Sequence, residues 1–162
     1  MDYVYLFNKQ RELDAYIEDK LESTDRDDLF RKKIVALQVE IGELANETRC
    51  FKFWSRKGPS EQSVILEEYV DGLHFILSLG LDKGLTYAAG PLAATEMDQT
   101  DAFLELYRSI GAFYSEPVQG MYEKLFQSFL QLGRQLGFTE AAILEAYQQK
   151  NEVNHTRQDE GY

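Results

Sequence analysis

The chain has 162 residues, enough for one domain with its own core, and its 44% hydrophobic and 13% aromatic content excludes a disordered chain. The lone cysteine, Cys50, excludes a disulfide scaffold. Twenty-eight acids against seventeen bases give a net charge of −11, so no nucleic acid and no anionic membrane is an expected partner.

Asp2, Glu12, Asp14, Glu18 and Asp19 leave no basic, apolar leader in the first twenty residues, and the expected location is cytoplasmic. No apolar run approaches the roughly 20 residues of a membrane span. Leu6, Gln10, Leu13, Ile17 and Leu21 share one face of a first helix, with Gln10 its one polar member. A second helix is predicted from about Asp28 to Trp54, with Asp25, Asp27 and Asp28 near its start and Leu37, Ile41 and Leu44 in its apolar stripe. Gly58-Pro59-Ser60 breaks the chain. Ser60 is the expected N-cap of a third helix from about Glu61 to Leu81. Two long helices joined this closely should lie antiparallel.

Residues 82–98 read as a connection. Phe103, Tyr107, Ile110 and Tyr114 mark a fourth helix. Ser115 is the expected cap of a fifth, with Pro117 in its first turn and Tyr122, Leu125, Phe126, Phe129, Leu132 and Leu136 as its stripe. Gly137 ends it, Thr139 caps a sixth, and the periodicity fades after about Lys150. The fold class is all-α, a helical bundle spanning residues 1–162 as a single domain with a C-terminal tail over 150–162. The aromatics between Phe103 and Phe138 suit either a subunit interface or an ordinary core.

The informative feature is where the acids fall. On a helical projection Glu40, Glu43 and Glu47 border the apolar stripe of the second helix, and Glu68 and Asp71 stand inside that of the third. A buried carboxylate without a partner costs several kcal/mol, so acids on facing helices need cations. Oxygen-only ligands at i, i+3 suit a hard ion such as Mg²⁺ or Mn²⁺. Asp71-x-x-His74 and Glu152-x-x-His155 mimic ferritin-like di-iron pairs, but Glu152 falls beyond the last periodic segment. No phosphate-binding glycine motif or nucleophile elbow is present.

Between Thr48 and Ser60 the charge reverses: Arg49, Lys52, Arg56 and Lys57 surround the only tryptophan, Trp54. This is either an anion patch with an aromatic plate or a helix C-terminus neutralising its own carbonyls. Lys150, Asn151, Asn154, His155, Arg157 and Gln158 form a second cluster in the tail.

Together these regions resemble the dimeric, all-α dUTP diphosphatases of the MazG-like nucleotide pyrophosphatase superfamily. The E-x-x-E and E-x-x-D pattern matches Glu40-Ile41-Gly42-Glu43 and Glu68-Tyr69-Val70-Asp71, with 24 residues between Glu43 and Glu68. The dUTPase branch adds Phe51-Lys52-Phe53-Trp54, His74-Phe75 and an ending matched from Lys150 to Tyr162. The resemblance implies a homodimer that hydrolyses dUTP to dUMP and pyrophosphate by attack at the β-phosphorus. It implies Glu40, Glu43, Glu68 and Asp71 as catalytic metal ligands for Mg²⁺, with Mn²⁺ as a substitute. It further implies that Gln10 and Trp54 meet uracil, Phe75 packs on the deoxyribose, and His74 lies near the 3′-hydroxyl. Lys150, Asn154 and Arg157 would contact phosphates, and the role of Glu47 stays open. The alternatives are a pyrophosphatase for dCTP or a modified nucleotide, and a non-catalytic acidic helical adapter.

Overall fold

Six helices carry the fold in the computed structural model, which describes residues 1–20, 25–90 and 96–160; no strand occurs among these residues. They are α1 (Tyr3–Glu18), α2 (Arg26–Thr48), α3 (Gln62–Asp82), α4 (Gln99–Ser115), α5 (Gln119–Gln135) and α6 (Glu140–Asp159). None is long and apolar enough to cross a membrane. The all-α expectation holds, and Leu21 of the predicted first stripe lies outside the described residues.

Aspartates start α1, α2 and α4: Asp2, Asp25 and Asp98 each accept a backbone N–H of the first turn, and Thr139 does the same for α6. Two predicted caps are corrected. Ser60 does not cap α3, because its hydroxyl is spent on the Glu47 carboxylate; Glu61 holds the cap position without a side-chain bond. Ser115 ends α4 with its hydroxyl donated to the Gly111 carbonyl at 3.0 Å, and α5 begins four residues later after Val118, leaving Pro117 outside the helix.

Two boundaries also move. α2 stops at Thr48, where Arg49 takes a left-handed conformation (φ 60°), so Phe51, Phe53 and Trp54 leave the helix axis. α6 continues to Asp159, so Lys150, Asn154 and Arg157 ride on a helix, not on an irregular tail. Asn151 is buried, Tyr16 donates to the Asp159 carboxylate, and the Tyr16 and His155 rings lie 5.3 Å apart. These polar contacts dock the second half of α6, which has no apolar stripe, while Ile143 and Tyr147 bury its first half.

α3 is the hub, packed against α1, α2, α5 and α6, while α2 also meets α4 and α4 pairs with α5. Leu37, Ile41 and Leu44 from α2 interlock with Tyr69, Leu73 and Ile76 from α3, all fully buried. Each such side chain contributes about 1.5–3 kcal/mol through removal from water. Phe103, Phe113, Tyr122, Phe126 and Phe129 belong to this same core, which decides for those five aromatics between the two readings left open above. Tyr114, 47% exposed, does not.

Candidate active site

The pairing of α2 and α3 brings Glu40, Glu68 and Asp71 together, each offering a carboxylate oxygen within 4.8 Å of the others. At that separation two ionised carboxylates in a half-buried setting repel by about 3 kcal/mol. Burial, then Asp71, Glu43 and Glu68, push the Glu40 carboxyl from its usual 4.5 up to about 7. Burial, then Glu43 and Asp71, raise Glu68. Burial also raises Asp71, against a hydrogen bond and charge from Lys150. Glu43 is exposed and stands outside the group of three, near enough to raise both Glu40 and Glu68 by its charge.

Lys150 reaches across from α6, its Nζ 2.7 Å from Asp71 Oδ2 and 3.0 Å from Glu67 Oε1. Burial alone would lower its pKa, but the bonds to Asp71 and Glu67 outweigh burial and raise it. The cluster is therefore a centre of excess negative charge only partly offset by one ammonium. Hard oxygen donors from two rigid helices are the donor set a divalent Mg²⁺ or Mn²⁺ takes, so the residues present fit such an ion.

A cavity of about 530 Å³ opens beside the cluster. Glu40 and Asp71 line it, with Lys150, Asn154 and Arg157 from α6. Gln10, His74 and Phe75 line it as well, so eight of the eleven site residues drawn from the sequence meet at one cavity. Glu68 is the third member of the adjoining acidic group. Trp54 is not part of the lining: it stands 65% exposed on the segment between α2 and α3, edge-on to Phe51 and Phe53. That segment is pinned by Arg49, which donates to the Lys57 carbonyl at 3.3 Å, and by Ser60. Glu47 is engaged there, accepting from the Ser60 hydroxyl.

Gln10 and His74, both in the cavity lining, belong to a buried polar network. Gln10 Oε1 accepts from the Tyr147 hydroxyl at 2.9 Å and pairs with His74 Nδ1 at 2.8 Å. Its Nε2 donates to Asp14 Oδ1 at 2.8 Å. The His74 ring stacks on Tyr147 with centroids 4.2 Å apart. Burial, then Lys150, lowers its pKa to about 3, so the ring is neutral at physiological pH. Its Nε2 is buried without a partner. Sequence reasoning missed Asp14, Ser78 and Tyr147. The first two stand one turn beyond Gln10 and His74, an i, i+4 relation that the sequence did offer.

A family model described as dUTPase matches residues 2–162, essentially the whole chain. The chain belongs to the dUTPase family. Its helical architecture is that of this all-α family, and its activity is that of a dUTP diphosphatase, hydrolysing dUTP to dUMP. No curated protein matches the chain. For a dUTPase the arrangement is chemically apt, because an acidic protein can hold a triphosphate only where cations gather. Lys150 and Arg157 stand beside the carboxylates of Glu40 and Asp71 at one cavity.

Proposed function

We propose that this dUTPase is a Mg²⁺-dependent homodimer acting in the cytoplasm, with Glu40, Glu43, Glu68 and Asp71 as the ligand set. The observation that carries the reading is the convergence of Glu40, Glu68 and Asp71 carboxylate oxygens within 4.8 Å of one another, next to a cavity lined by cations and amides. When bound, a divalent ion supplies charge neutralisation for the triphosphate and a water acidified for attack. Glu43 is the most solvent-accessible of the four and completes the set from the flank of α2.

The chain's own groups do the remaining work. Lys150, Asn154 and Arg157 bind phosphate oxygens through charge-assisted and amide hydrogen bonds, and they present one face of α6 to the triphosphate. Phe75 packs on the deoxyribose, where a 2′-hydroxyl would be buried unpaired and UTP therefore disfavoured. The Gln10 amide keeps one N–H for a uracil carbonyl after its bond to Asp14. His74 Nε2 accepts from a sugar hydroxyl, and Trp54 offers an exposed face for the base. Residues 1–162 act as one domain whose segment 150–162 supplies the phosphate contacts.

Pyrophosphate release measured for dUTP, dCTP, dTTP and UTP, with and without Mg²⁺, tests the reading. Release from dUTP that stops when Mg²⁺ is chelated is the expected result, with Asp71→Asn slower by orders of magnitude while still folded. Undiminished turnover in Asp71→Asn at saturating Mg²⁺ would move the metal site elsewhere.

A further inference from the structure

The Gln10 amide has two ways to sit in its network, and they differ in what the cavity presents. In the structure Nε2 faces Asp14 and Oε1 faces Tyr147 and His74. An oxygen at that position requires a donor from His74, so the imidazole proton resides on Nδ1 and the unpartnered Nε2 is a bare acceptor. Turning the amide over would place Oε1 against Asp14 and Nε2 against His74. The imidazole would then carry its proton on Nε2, and the group it shows to a ligand would change from acceptor to donor.

The Tyr147 hydroxyl does not choose between these states, because a hydroxyl can donate or accept. Asp14 does. An ionised carboxylate only accepts, and facing a carbonyl oxygen it would lose a charge-assisted hydrogen bond and meet repulsion instead. Burial raises the Asp14 pKa on balance, against Lys33 and bonds from Gln10 and Ser78 that favour the charged form, so the lock is in force above that raised pKa, where the carboxylate is ionised. The lock is thus built from three helices: Asp14 and Gln10 on α1, His74 on α3 and Tyr147 on α6.

We propose that Asp14 is a positioning residue whose carboxylate fixes the Gln10 amide and, through it, the Nδ1–H tautomer of His74. Among the residues that line the cavity, Gln10 then keeps one N–H and His74 one buried acceptor. A uracil carbonyl takes that N–H, whereas the cytosine 4-amino group, itself a donor, does not. This consequence for base choice rests on the reading that the nucleoside occupies the cavity; the tautomer itself does not.

The chain has two histidines, His74 and His155, so ¹⁵N–¹H correlation spectra of the ligand-free protein resolve the His74 tautomer directly. The expected wild-type result is a protonated Nδ1 and an unprotonated Nε2; a proton on Nε2 overturns the proposal without any variant. Asp14→Asn keeps the shape and removes the charge, and it should shift His74 toward the Nε2–H form or a mixture. An unchanged tautomer in a folded Asp14→Asn protein overturns the relay. In the same variant the dUTP to dCTP ratio of kcat/KM should fall about tenfold, the size of one buried hydrogen bond, mostly through KM. A changed tautomer with an unchanged ratio supports the lock and counts against the placement of the nucleoside, so the two readings fail separately.

Discussion

Lys150 Nζ lies 2.7 Å from Asp71 Oδ2, so a side chain assigned to phosphate is also the counter-charge of an acid assigned to metal. The ammonium on Asp71 competes with a divalent ion for the same oxygen. At pH 8, where the carboxylates are ionised, Lys150→Met should bind Mn²⁺ alone at least as tightly as the wild type, by calorimetry. Its KM for dUTP should rise by one to two orders of magnitude, as expected for loss of a charged hydrogen bond. Mn²⁺ binding weakened tenfold or more would show that Lys150 supports the metal site and does not compete for it.

Glu40 gives the ligand-free protein a defined pH dependence. The folded state holds this proton up to about pH 7, whereas the unfolded chain releases it near the usual 4.5. Stabilisation by the protonated form is therefore complete below about 4.5 and is lost as pH rises through 7. Glu68 and Asp71 are raised as well and act in the same sense. In chelator, the melting temperature should fall between pH 4.5 and 7, and more steeply than in Glu40→Gln. Parallel curves for the two proteins would mean that the clustered carboxylates are solvated and their repulsion negligible.

Two glycines predict opposite signs. A Cβ at Gly133 on α5 would run into the Tyr69 ring, which stacks on Phe129 at 4.2 Å and donates its hydroxyl to the Phe129 carbonyl. Gly133→Ala should cost about 1–3 kcal/mol of unfolding free energy, because the core can relieve the overlap only by moving α3. A Cβ at Gly111 on α4 meets nothing within 4 Å, so Gly111→Ala should gain about 0.5–1 kcal/mol from helix propensity. Denaturant midpoints measure both, and equal shifts would refute the packing account.

The helices are legible because Leu6 and Leu13 on α1, Leu37, Ile41 and Leu44 on α2, and Leu125, Phe129 and Leu132 on α5 repeat at the spacing of a buried face, and the acids are legible because Glu68 and Asp71 interrupt such a face and Glu40 and Glu43 border one. Two ends were hidden for physical reasons. α2 stops at a left-handed Arg49, a position where sequence rules expect glycine. The second half of α6 docks through Asn151, His155 and Asp159, so no apolar period marks it. Gln10 was singled out as a lone amide on an apolar face. Its partner Tyr147, 137 residues away on α6, has no linear signature, and Asp14 is marked only by the i, i+4 spacing on α1.

That polar docking decides how the end of α6 behaves. Tyr16 to Asp159, Lys20 to Asp159 at 3.9 Å and the Tyr16–His155 ring contact hold its last turns to α1 and the turn that follows it through exposed and half-buried groups. Exposed pairs of this kind contribute about 0–1 kcal/mol each, far less than the buried Ile143 and Tyr147 earlier in the helix. Amide exchange without ligand should therefore be slow near residues 143–151 and fast over 154–159. A bound triphosphate adds charge-assisted bonds to Lys150 and Arg157, so Mg²⁺ with a non-hydrolysable dUTP analogue should slow exchange over 154–159 at least tenfold. Truncation after Val153 should then impair catalysis severely with little loss of melting temperature. Equal protection with and without nucleotide would make the end of α6 a fixed part of the bundle, and exposure in both states would remove Asn154 and Arg157 from the site.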